Sequence, residues 1–139
     1  MLLSSLNCRA GLIDGRIVAV LDGDTVTLLD HDHAQHRIRL AGIDAPEKSQ
    51  AFGQRSKQSL SELVFDREVT VEIGKTDRYG RQIGKILLRG VDVNFEQVRR
   101  GMAWHYKAYA REQSAPDRIA YAAAEDAAKV ATVGQVLAR

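Results

Sequence analysis

The chain has 139 residues, a length that fits one compact domain. Apolar residues make up 45% and charged residues 27%, which excludes disorder over most of the chain and any collagen-like or low-complexity fibre. No apolar run approaches the roughly 20 residues of a membrane-spanning helix. Cys8 is the single cysteine, so an intramolecular disulfide framework and a multi-cysteine zinc site are excluded as well. The net charge of +2, from 20 basic and 18 acidic side chains, permits a nucleic-acid partner without demanding one. Phosphate recognition would have to come from a few placed arginines and lysines.

Residues 1–10 precede the first patterned segment. Their apolar start and small residues before Cys8-Arg9-Ala10 admit two readings: a frayed terminus, or the remnant of an export signal. The second makes the protein secreted or periplasmic. Residues 11–139 read as a single domain.

Ile17 to Leu21 is a short apolar run rich in β-branched residues, which predicts a strand. Asp22-Gly23-Asp24 interrupts it with a turn signal, and Thr25 to Leu29 resumes as a second strand. After a polar turn from Asp30 to Gln35, the stretch from His36 to Ile43 alternates. Ile38 and Leu40 share one face, and Arg37 and Arg39 share the other. Pro46 stops this strand. A helix is expected from Gln54 to Phe65, with Leu60, Leu63 and Val64 on one side. Val69 to Ile73 and Gln82 to Leu88 predict a fourth and a fifth strand, separated by the polar connector Gly74 to Gly80. Val91, Phe95, Val98 and Met102 fit a short helix closed near Gly101. Ser114-Ala115-Pro116-Asp117 has the form of a helix start, with Ser114 as cap, and the alanine-rich stretch from Asp117 to Ala131 follows. The expected fold is α+β and mainly β: a five-stranded barrel of the OB type with three helices, one after the third strand and two C-terminal.

Three carboxylates attract chemistry. Asp24 opens the second strand, Asp44 closes the third, and Glu47 follows three residues later. Adjacent antiparallel strands can bring the two aspartates to one rim of the barrel. Clustered carboxylates repel one another unless a cation or proton lies among them, and oxygen donors suit a hard cation such as calcium or magnesium. Arg39, five residues before Asp44, and Arg81, at the start of the fifth strand, supply guanidinium groups that grip phosphate oxygens in pairs. The set reads as a phosphodiester-hydrolysing site. Singly, each residue has a plainer reading as a turn former, a helix-side charge or half of a surface ion pair. His31, His33 and His36 lie at a predicted hairpin tip in polar sequence and read as a solvated turn.

Three segments carry a resemblance. Val20-Leu21-Asp22-Gly23-Asp24-Thr25, the run from Ile38 to Glu47, and Thr76-Asp77-Arg78-Tyr79-Gly80-Arg81 resemble the signature segments of the staphylococcal nuclease (thermonuclease) family. Gly101-Met102-Ala103-Trp104 resembles a fourth, weaker one. The resemblance implies an OB-fold nuclease that depends on one calcium ion, acts on DNA and RNA, and works as a monomer away from membranes. By position, Asp24, Asp44 and the backbone carbonyl of Ala45 would ligate the calcium. Glu47 would act as general base, and Arg39 and Arg81 would clamp the scissile phosphate. Tyr79, Tyr106 and Tyr109 would meet the substrate, by stacking or phosphate contact; for Tyr106 and Tyr109 packing between barrel and helix is the other reading. Trp104 reads as core packing. The loop from Lys48 to Gly53 is shorter than in the best-known members. A non-catalytic OB module that binds single strands is the competing function. Such a module is expected to lose at least one of Asp24, Arg39, Asp44, Glu47 and Arg81, and this chain keeps all five.

Overall fold

The computed structural model describes residues 11–132. Residues 1–10, which carry the two terminal readings, and the tail from residue 133 lie outside the described part. Five long strands form the frame: β1 (Leu12–Asp22), β2 (Thr25–Asp30), β3 (Gln35–Leu40), β5 (Glu68–Thr76) and β6 (Gln82–Leu88). Two-residue strands β4 (Ile43–Asp44), β7 (Val91–Asp92) and β8 (Trp104–His105) sit at the rim. The helices are α1 (Gly53–Val64), α2 (Val93–Arg99) and α3 (Ala115–Thr132), with a 3-10 turn at Lys107–Glu112.

β1 pairs antiparallel with β5 through its first half and with β2 through its second. Two register shifts against β2 bend it, so one strand serves two neighbours. β2 pairs with β3, and β5 with β6. The barrel closes where β3 lies parallel to β6, with Ile38 opposite Gln82, Arg39 opposite Ile83 and Leu40 opposite Gly84. The closed five-stranded barrel with three helices, mainly β, is the expected OB architecture.

Alternation fills the barrel. Ile17, Val26, Leu28, Ile38, Val71 and Ile86 are fully buried, and Leu60 and Val64 of α1 close one end. α2 packs on β6 and on α3. In α3 the alanines permit a close approach, while Tyr121 is buried and donates its hydroxyl to both Asp92 oxygens at 2.7 and 2.9 Å. Ser114 accepts the Asp117 N–H at 3.2 Å, as its place before the helix predicts.

Several boundaries differ from the sequence expectations. β1 begins at Leu12, because pairing with β5 recruits the polar stretch Asp14-Gly15-Arg16, which lacks an apolar pattern. The third strand stops at Leu40 rather than running to Ile43: Gly42 takes φ +77°, and the chain turns before β4. The helix expected from Val91 starts at Val93, where Asp92 accepts the Phe95 N–H at 2.9 Å, and Met102 lies beyond its end. Arg39 is not on a solvent face. It is 9% exposed, because the chain after β3 turns back so that the Ile43 carbonyl and Asp44 meet its guanidinium, with Asp24 on the other side. Trp104 is only half-buried, and its strand pairs with Asp44. The expected turn narrows to residues 31–34, with Asp30 ending β2 and accepting the N–H groups of Asp32 and Ala34. His36 is not at a solvated tip but in β3, its Nε2 2.7 Å from the other Asp30 oxygen and its Nδ1 2.8 Å from Gln82. Among the described residues no group of three or more His, Cys, Asp or Glu is gathered for a metal ion, and no helix is long and apolar enough to cross a membrane.

Candidate active site

The two-residue turn between β1 and β2 delivers Asp24, and the register sets Thr25 of β2 opposite Arg39 of β3. Asp24 is buried. Its Oδ1 accepts the Thr25 hydroxyl and its Oδ2 accepts the Ala45 N–H, each at 2.9 Å. Through the second bond, the segment after β4 is tied to the β1–β2 turn.

Arg39 lies between the two aspartates. Its Nη1 donates to the carbonyls of Leu40 (3.1 Å) and Ile43 (2.8 Å). Its Nη2 stands 3.2 Å from Asp44 Oδ1 and 3.6 Å from Asp24 Oδ2. A buried guanidinium is tolerable only with such partners, and here they also fix its direction. Asp44 is half-exposed. Burial pushes its carboxyl above the ordinary range; Arg39 offsets part of this, and the Asp24 carboxylate adds a smaller upward push.

Arg81 arrives from the β5–β6 connection. Asp77 builds that turn: its Oδ1 accepts the N–H groups of Tyr79 (2.9 Å) and Arg81 (3.0 Å). Its Oδ2 receives Nε and Nη2 of Arg81, both at 2.8 Å. Desolvation works against the Asp77 charge, but these donors outweigh it and hold the carboxyl below its ordinary range. The Tyr79 ring is 67% exposed, with the guanidinium carbons of Arg78 and Arg81 at 5.3 and 5.2 Å from its centroid. Arg39, Asp44, Asp77, Arg81, Tyr79 and Tyr106 all face one open cleft of about 630 Å³.

The remaining expected residues fall as follows. Glu47 is exposed on the segment after β4 and takes no part in the Asp24–Arg39–Asp44 cluster. Its backbone is held by Gln50, whose Oε1 accepts the Glu47 N–H at 2.6 Å, and by α1: a Cβ on Gly53 would lie 1.9 Å from the Glu47 carbonyl. Ala45 is buried and adjoins both aspartates through its N–H and its chain neighbour. The side chain of Tyr109 lies outside the described residues.

Two supporting residues escape a sequence reading. Asn94 and Gln97 of α2 are fully buried. Asn94 Nδ2 donates to the carbonyls of Ala41 (3.0 Å) and Gly84 (3.1 Å), and its Oδ1 accepts the Ile86 N–H (3.1 Å). It thereby ties the end of β3 to β6. Gln97 Nε2 donates to the carbonyls of Gly23 (2.9 Å) and Ser56 (3.2 Å), and its Oε1 accepts Ser59 Oγ at 2.6 Å. It supports the turn that carries Asp24. The available signal is that both amides lie on the helix face of Val93 and Val98, where apolar residues are expected.

A family model described as staphylococcal nuclease homologue matches residues 37–135. The chain belongs to the staphylococcal nuclease family. A Haemophilus influenzae protein named uncharacterized endonuclease is 45% identical over 97 residues, which cover 70% of this chain and 54% of that protein. A Shigella flexneri protein named micrococcal nuclease is 40% identical over 110 residues, covering 73% and 63%. Protein ParB of Escherichia coli is 42% identical over 106 residues, covering 70% and 59%. The chain thus spans between half and two thirds of the length of these relatives.

Proposed function

We propose that this protein is a nuclease that hydrolyses phosphodiester bonds of DNA and RNA with the help of a calcium ion. The observation that carries the reading is the convergence of Arg39 and Arg81, each aimed by its own carboxylate partner, on one cleft beside the Asp24–Asp44 pair. Family membership and the names of the relatives support the same reaction class.

The donor set suits a hard cation. It is made of oxygens only, and Asp44, the more exposed of the two carboxylates, lines the cleft. Asp24, Asp44 and the Ala45 carbonyl would hold it; when bound, the ion would polarise a phosphoryl oxygen and draw off charge. The chain's own groups account for the rest. Arg39 and Arg81 would grip non-bridging oxygens and fix the phosphate for in-line attack. Glu47, exposed on the segment after β4, would take the proton of the attacking water as its oxygen forms a new bond to phosphorus. The bond to the leaving oxygen then breaks, with Arg81 offsetting the charge that develops there.

The test is hydrolysis of single-stranded DNA by the purified chain at mildly alkaline pH, with calcium and then with excess chelator. Cleavage should vanish on chelation, and Glu47→Gln should slow it by roughly 10²-fold or more while binding persists. Full turnover by a clean Glu47→Gln preparation would remove that residue from its role. Tight DNA binding without any cleavage would turn the reading to a binding-only OB module.

A further inference from the structure

Beyond Lys75 and Ile83, which border the active-site cleft, lies a second cleft of about 640 Å³ that these same two residues also line. The two are therefore neighbours, with Lys75 and Ile83 between them. The new cleft runs between the Ala41–Gly42 turn, the β5 segment Ile73–Lys75, and Gln113 and Ser114 just before α3. Its size suits a group as large as a nucleoside.

The two halves differ in charge. Around the first stand four basic residues, Arg39, Lys75, Arg78 and Arg81, against two acids, Asp44 and Asp77. Around the second stand Lys75 and Lys85 against Glu72 and Asp117. Lys85 is already committed there, 2.9 Å from Asp117 and 4.0 Å from Glu72. A phosphate gains little in such a balanced site. An uncharged planar group does better: Ile73 and Ile83 offer apolar walls, and Gln113 offers an amide edge. That amide is held in place. Its Oε1 meets His105 Nε2 at 2.8 Å, and it packs over Gly42 so closely that a Cβ there would lie 2.4 Å from its nitrogen.

We propose that the second cleft receives an unpaired nucleobase with its sugar, from the strand whose phosphate lies at Arg39 and Arg81. Lys75, set in the irregular stretch of β5 between Ile73 and Thr76, stands at the passage between them. The inference rests on the nucleic-acid reading of the first cleft, not on whether hydrolysis occurs there.

Gly74 provides the test. It is exposed, and a Cβ there would meet only the Ile83 carbonyl at an ordinary 3.5 Å, so a large side chain can project into the cleft without disturbing the strand. Affinities for a fluorescent thymidine dinucleotide and a thymidine octanucleotide are measured by anisotropy in chelator, which prevents turnover. Gly74→Trp should weaken binding of both strands about tenfold, while Gly74→Ala changes neither. Gln113→Glu, which keeps the acceptor for His105 and adds a negative charge, should weaken both as well. Equal octanucleotide affinity in the parent and both substituted proteins overturns the proposal. If the parent binds neither strand, the nucleic-acid reading of the first cleft falls and this one with it. If it binds both but never cleaves, only the hydrolytic reading falls.

Discussion

Arg39 is surrounded by four oxygens within 3.6 Å, two from carboxylates and two from backbone carbonyls. Asp44 is the more exposed of its two acidic partners and sits where burial and Asp24 both disfavour its charge. Asp44→Asn removes a charge that burial disfavours by more than its pairing with Arg39 offsets, so the calcium-free protein should melt no lower than the parent. Calcium at about a hundred times its Kd should stabilise the parent by about 2.7 kcal/mol and the substituted protein far less. Melting curves with and without calcium decide this; equal calcium shifts in both proteins would exclude Asp44 as a ligand. In the proposed reaction Asp77 would position Arg81, which it holds through Nε and Nη2. Asp77→Asn retains an oxygen for the two backbone N–H groups but loses the charged pair with Arg81, so the turn should survive while kcat falls about tenfold or more. An unchanged kcat with unchanged melting would show that Arg81 needs no such partner.

The β2–β3 hairpin shows how an element holds its register. Asp30 accepts hydrogen bonds from His36 and from the Ala34 N–H, which lower its pKa from 3.8 to about 2. Burial works against the charged His36 ring, yet Asp30 and Gln82 outweigh it and raise its pKa above 6.5. The signs are opposite. The Asp30 contribution is complete above pH 3.8 and lost as the pH falls through about 2; the His36 contribution is complete below pH 6.5 and lost as the pH rises through its folded value. The difference in melting temperature between the parent and His36→Gln should therefore be widest between pH 3.8 and 6.5 and shrink on either side. A constant difference across that range would assign the residue a packing role only. Helix α2 shows a different device: Asn94 and Gln97, one turn apart, reach β3, β6 and the β1–β2 turn at once.

At the scale of the whole molecule, barrel closure makes the site. Arg39 and Arg81 are brought to one cleft because β3 and β6 pair in parallel, with Arg39 opposite Ile83. Ile38 is fully buried at that seam and pairs with both Val26 and Gln82. Ile38→Ala should lower stability by about 2–5 kcal/mol and lower activity with it at temperatures where the parent is intact. Chemical denaturation gives the first quantity. A loss of under about 1 kcal/mol would mean that the seam repacks freely.

The sequence by itself determined what is local. Alternation in Val69 to Ile73, the Asp22-Gly23-Asp24 turn, the Ser114 cap and the positions of the charged residues are set by neighbours within a few residues. Such signals report periodicity and turn chemistry, which need no partner strand. Only the tertiary structure decided what depends on distant partners. Arg39 alternates with Ile38 as a solvent-facing residue does, yet it is enclosed, because the turn after Gly42 folds Ile43 and Asp44 back onto it and the β1–β2 turn brings Asp24 to it. Asn94 and Gln97 look like polar interruptions of an apolar stripe until the carbonyls of Ala41, Gly84 and Gly23 are set against them. The second cleft has no sequence signature at all, since its walls come from the Ala41–Gly42 turn, β5, β6 and the start of α3 and meet only when the barrel is closed.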